Sequence, residues 1–91
     1  MSERPAAPRM MKSVAIRLNE IYVPAALRAT LDAAKVQTLA EDILDKGLQF
    51  PIQVRRDKER YVLVTGLHRL EAMRALGSDS IEALVVQARK F

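Results

Sequence analysis

The sequence predicts a small α/β domain of the α+β kind, in which helices cover a mixed sheet in the order β-α-β-β-α-β. Three observations predict it. Short β-prone runs at 14–18, 52–55, 61–65 and 81–86 alternate with two segments of helical spacing, one at 33–46 and one following Gly66. Pro24, Pro51 and the glycines at 47, 66 and 77 stand at the ends of these segments. The length, 91 residues with 49% hydrophobic and 29% charged, suits one domain rather than two.

Residues 1–13 hold Pro5, Pro8 and no apolar periodicity, and read as a disordered leader to a domain spanning 14–91. Val14-Ala15-Ile16-Arg17-Leu18 alternates apolar and polar, as a strand does. Ile21-Tyr22-Val23 either extends it or forms a second short piece before Pro24 breaks the run. The Ala-rich stretch 25–34 carries no clear signal. Val36, Leu39, Ala40, Ile43 and Leu44 then recur at helical spacing, with Asp32 placed to cap the start and Gly47 to stop the end, so a helix is expected over 33–46.

Pro51 opens the strand Ile52-Gln53-Val54-Arg55, and the charged run 56–60 reads as a five-residue exposed hairpin link. Tyr61-Val62-Leu63-Val64-Thr65 is apolar on both faces, which predicts a central strand. After Gly66, residues Leu70, Met73 and Leu76 share one helical face until Gly77, and Ile81–Val86 is the last strand. Phe50 and Tyr61 are expected in the core.

Several function classes drop out. Cysteine is absent and His68 is the only histidine, so a disulfide framework, thiol chemistry and a multi-histidine or Cys-ligated metal site are excluded, and no metal set is expected. No apolar run is long enough for a bilayer and no secretory signal opens the chain, so a cytoplasmic location without membrane partners is expected. The net charge of +4 is no strong pointer to nucleic acid. Half of the excess lies on the leader, in Arg4, Arg9 and Lys12 against Glu3, and the rest of the chain is nearly balanced.

The junction Thr65-Gly66-Leu67-His68-Arg69 is the informative one. A helix start presents free backbone N–H groups and the positive end of the helix dipole, which favour an anion. Gly66 permits close approach to the backbone, while Arg69 and either ring nitrogen of His68 are donors in the first turn. That combination suits a phosphate. A solvated first turn is the alternative, with Glu71 offsetting the positive charge of His68 through an i,i+3 pair. On the preceding helix, Lys35, Thr38 and Asp42 share a face, and Lys35 and Thr38 are further phosphate donors unless that face is only solvated.

The boxes Gly47-Leu48-Gln49-Phe50-Pro51-Ile52-Gln53-Val54 and Tyr61-Val62-Leu63-Val64-Thr65-Gly66-Leu67-His68-Arg69-Leu70-Glu71-Ala72, followed by Leu76-Gly77, resemble the ParB/sulfiredoxin-like superfamily. ParB N-terminal domains carry a Gly-Leu-x-x-Pro-Ile box and a Gly-Glu-Arg-Arg-x-x-Ala box before a Leu-Gly; sulfiredoxins carry Gly-Cys-His-Arg at the second. The run Leu31–Leu39 is also similar to the sulfiredoxin segment before the first helix, and the likeness covers about residues 14–88. It implies a ParB/sulfiredoxin-like fold and a nucleoside triphosphate, ATP or CTP, with room for Mg²⁺. Gly66, His68 and Arg69 match the phosphate turn, Lys35 and Thr38 match the polar residues of the first helix, and Arg28 resembles a lone ParB arginine. Arg28 and Glu71 are accessory candidates.

The departures are as specific. Leu67 stands where sulfiredoxins have their cysteine and ParB proteins an acidic residue, so sulfinic acid reduction, which passes through a sulfur adduct, is not expected. Asp42 stands where sulfiredoxins commonly have Thr, and its charge would oppose a nearby phosphate. The sequence ends at Phe91, so the later ParB nucleotide motif, helix-turn-helix and dimerisation segment are not expected in it. Three functions follow. The first is a stand-alone ParB-like nucleotide-binding module linked to plasmid or chromosome partitioning, with DNA or a partition ATPase as partner. The second is a phosphotransfer or nuclease-type enzyme, with Glu71, Asp42 or Glu41 as base. The third is a DNA-interaction module using the leader and the 55–60 tip.

Overall fold

The computed structural model describes residues 13–48 and 50–86. Among them the elements run β1 (Val14–Arg17), a 3-10 turn at Leu18–Glu20, β2 (Ile21–Tyr22), α1 (Ala25–Arg28), α2 (Ala33–Lys46), β3 (Ile52–Asp57), β4 (Arg60–Thr65), α3 (Leu67–Ala75) and β5 (Ser80–Val85). The strands form one sheet in the order β1-β5-β3-β4-β2. β1 lies antiparallel to β5 and β3 to β4, whereas the β3–β5 and β2–β4 pairs are parallel, so the sheet is mixed as expected. The leader residues 1–12 fall outside the described residues; Ser13 donates its hydroxyl to Glu82 Oε1 at 2.8 Å.

The core follows from strand alternation. Ile16, Ile52, Val54, Leu63, Ile81 and Ala83 form a buried stripe across the sheet, joined through the register pairs Ile16–Ile81, Ile52–Ala83 and Val54–Leu63. α3 lays Leu67 and Leu70 into that cluster, with Met73 packed at its edge. α2 rests on α3 and buries only Ile43 fully.

α2 has the expected bounds, for the expected reasons. Asp32 takes the extended cap conformation and its Oδ1 accepts from the N–H of Ala34 (3.0 Å) and of Lys35 (3.4 Å). Gly47, at φ +83°, closes the other end.

Two expectations change, the hairpin length and the place of Phe50, and the readings left open are settled. Ile21–Tyr22 is a separate edge strand, and residues 25–28 form a helical turn whose first bonds, from Leu27 and Arg28, go to the carbonyl of Pro24. β4 is an inner strand, as expected, beside β3 at the middle of the sheet. β4 is paired on both sides and buries the adjacent Val62 and Leu63, but β2 is two residues long and its pairing stops at Val62, which leaves Val64 38% exposed. The hairpin link is two residues, not five, because the ladder continues to the Asp57–Arg60 pair. Arg56 stacks on the Tyr61 ring and donates to its hydroxyl at 2.9 Å, which extends the pairing into the charged run; Lys58 turns the chain at φ +60°. Phe50 is 65% exposed rather than core, since it precedes β3 and meets Arg69 instead; Tyr61 does pack against the core.

Candidate functional site

The cleft that matters lies where β4 hands over to α3. Ala34, Lys35, Thr38 and Leu39 of α2 form one wall and the run Thr65–Arg69 forms the other, around about 500 Å³. The two segments singled out in the sequence therefore face each other across one space. Its lining carries two fixed cations, Lys35 and Arg69, and no carboxylate. Neither cation is in an ion pair among the described residues.

Gly66 is left-handed, at φ +109° and ψ 29°, and N-caps α3 without a side-chain cap. No acidic residue lies in the first turn of α3. The positive end of the helix is thus left for another anion to satisfy. The glycine has a further cause on its other side. A Cβ there would stand 2.6 Å from Ile52 Cγ2 and 2.9 Å from Ile52 Cβ. The turn presses on the central strand, and only glycine fits.

Arg69 is half-buried and held from two directions. Its Nη1 reaches the carbonyl of Pro51 at 3.5 Å, and its guanidinium lies 5.7 Å from the centre of the Phe50 ring. His68 is used differently from the expectation that either ring nitrogen donates. Its Nε2 accepts from the backbone N–H of Asp32 at 3.0 Å, so the ring proton belongs on Nδ1, the one nitrogen left to donate.

The accessory residues go elsewhere. Glu71 pairs with Arg74 at 3.4 Å, not with His68, so it does not offset the first turn. Arg28 sits in the last turn of α1 and does not line the cleft. Asp42 pairs with Lys46 at 3.2 Å and lies outside the lining, which removes its conflict with an anion at Lys35 and Thr38. Ala34 and Leu39 line the cleft without having been singled out; helical spacing from Lys35 and Thr38 places them beside those two, but nothing in the sequence says which neighbours face α3. Among the described residues no three His, Asp or Glu side chains gather as a metal set, and no helix is long and apolar enough to cross a membrane.

Residues 4–90 match the family model of the ParB N-terminal domain. The chain belongs to this family. It is similar in structure to sulfiredoxin from Arabidopsis thaliana, with 31% identity, a TM-score of 0.76 and 85% of this chain matched to 86% of that one. A C-terminally truncated chromosome-partitioning protein ParB from Caulobacter crescentus, complexed with CTP-gamma-S, shares the fold at TM-score 0.74 and 23% identity, over 87% of this chain and 46% of that one. A mutant free serine kinase in complex with ADP shares it at TM-score 0.71 and 19% identity, over 81% of this chain and 30% of that one. The ParB N-terminal-like chain thus spans about half or less of the partition protein and the kinase. No curated protein sequence matches it. Together the family match and these neighbours place it in the ParB/sulfiredoxin-like superfamily.

Proposed function

We propose that this ParB N-terminal-like chain is a nucleotide-binding module that takes a nucleoside triphosphate, ATP or CTP, by its phosphates at the start of α3. The free N–H groups of the turn after Gly66, with Arg69, form one side of the phosphate site, and His68 lines it. Lys35 and Thr38 supply donors from the other. One observation carries this reading: the cleft joins a helix start without a side-chain cap to two cations that are unpaired among the described residues, with no carboxylate in its described lining. The nucleotides held by the ParB and kinase neighbours support it. With no carboxylate facing the cleft, a Mg²⁺ ion would be carried by phosphate oxygens and water rather than by the protein.

The same reading includes a role beside plasmid or chromosome partitioning in the cytoplasm, with DNA or a partition ATPase as partner, on the support of family membership. The enzyme alternative gains nothing from the side chains. Of its candidate bases, Glu71 and Asp42 are in ion pairs and Glu41 borders a different groove, on the far side of α2 with Leu44 and Leu76. Leu67, in the place of the sulfiredoxin cysteine, is 6% exposed and packs in the core, which supports the reading that this chain does not reduce sulfinic acids.

Titration of labelled protein with ATP, CTP and GTP tests the proposal. The amides of Gly66–Arg69, with Lys35 and Thr38, are expected to move with at least one of the three at millimolar concentration or below. Arg69→Ala should weaken that response about tenfold or more, as loss of a charged hydrogen bond does. Silence at the turn with all three nucleotides rejects the site.

A further inference from the structure

We propose that His68 is a positioning residue that braces the cleft, holding the start of α2 against the start of α3 through the bond from Asp32 N–H to its Nε2. The geometry points there because of where each partner stands. Asp32 is the N-cap of α2, and its carboxylate is already engaged by Ala34 and Lys35. Its backbone N–H points away from its own helix and is received by the second residue of α3, 36 positions along the chain. One bond therefore ties two helix starts together, and residues from the first turns of both helices line the same cleft.

The brace matters because the first turns of α2 bury no side chain fully, and this bond is the one side-chain hydrogen bond between the two helix starts among the described residues. Ile43, near its C-terminal end, is its only buried residue. Ala33, Ala34 and Lys35 are exposed, Leu31 before them is 43% exposed, and Val36 and Leu39 are half-buried. A helix packed so lightly at one end is placed there by its polar tether. Lys35 and Thr38 lie within the first two turns after the tether, so their distance from Gly66 and Arg69 is set by it. This makes the neutral imidazole with its proton on Nδ1 the working form, because only an unprotonated Nε2 receives the Asp32 N–H.

The inference rests on the nucleotide reading for its ligand but not for the brace, and the experiment separates the two. Glutamine places its amide oxygen where Nε2 stands, whereas asparagine places its amide nitrogen near Nδ1. Three variants, His68→Ala, His68→Gln and His68→Asn, are compared by ¹⁵N NMR and by titration with ATP, CTP and tripolyphosphate. In the wild type, the His68 nitrogen shifts should show the Nδ1–H tautomer. The Asp32 amide proton should shift and lose exchange protection in the Ala and Asn variants, with faster exchange at Val36–Leu39, and the Gln variant should restore all of these. Affinity for the bound anion should fall about tenfold with Ala and Asn and return to within about threefold of wild type with Gln. Rescue by Asn and not Gln would overturn the brace in favour of direct donation from Nδ1. So would an Asp32 amide indifferent to all three substitutions, or an Nε2–H tautomer. If the wild type binds none of the three anions, the nucleotide reading fails, and the Asp32 amide and exchange at α2 still decide the brace.

Discussion

At Gly66 two requirements meet in one residue. The φ of +109° is open to glycine and strained for anything with a Cβ, and the space where that Cβ would go is filled by Ile52, a fully buried branched residue. The expectation from the sequence was that the missing Cβ leaves room for a ligand; the structure shows it leaves room for β3. The distinction is testable. Gly66→Ala adds backbone strain of about 1–3 kcal/mol and overpacking of about 1–3 kcal/mol. The sum is a loss of roughly 2–6 kcal/mol, read as a fall in Tm of about 10 °C or more in a thermal melt of the ligand-free protein. A Gly66→Ala protein that melts like wild type and loses only nucleotide affinity would show that the ligand, not Ile52, demands the glycine.

Among the elements, α2 shows what was legible and what was not. Its bounds could be read because three local signals agree: an aspartate before the run, apolar spacing of three and four, and a glycine after it. Asp32→Ala removes the two cap bonds to Ala34 and Lys35 while keeping the backbone N–H that meets His68. The expected cost is about 1 kcal/mol, or roughly 4–8 °C in Tm, with the His68 tautomer unchanged. Calorimetry and His68 nitrogen shifts together check it, and a change of tautomer would mean that cap and brace are one unit. β2 and α1 were not legible, since two and four residues are too few to establish a period. The hairpin length is hidden because Arg56, Asp57 and Arg60 look like turn residues by charge. They are held in strands by the Asp57–Arg60 pair and by stacking on Tyr61 and Tyr22; only the Tyr22 contact is distant in sequence, but a charge pattern shows none of the three. Phe50 was misplaced for the converse reason: aromatic character suggested burial, and its neighbour is the guanidinium of Arg69.

For the molecule as a whole, the site was legible as two segments and illegible as one space. Spacing put Lys35 with Thr38, and the glycine turn put His68 with Arg69; only the packing of α2 on α3 brings the pairs across from each other. A nearly balanced fold then matters more than its net charge. At the 55–60 tip Arg56 stacks on Tyr61 and Arg60 on Tyr22 and Asp57, whereas the cleft holds Lys35 and Arg69 with no carboxylate among its described lining residues. The cleft thus sets two cations beside a helix start, and a small domain responds globally to a local ligand because binding to the folded state alone adds to its stability. At a hundredfold excess over Kd the gain is about 2.7 kcal/mol, which corresponds to roughly 10–20 °C in Tm for a domain of this size. ATP or CTP, and tripolyphosphate to a lesser degree, should raise the Tm in this way, while the matching nucleosides leave it unmoved. A nucleoside that stabilises as much as its triphosphate would place recognition in the base and leave the start of α3 without its anion.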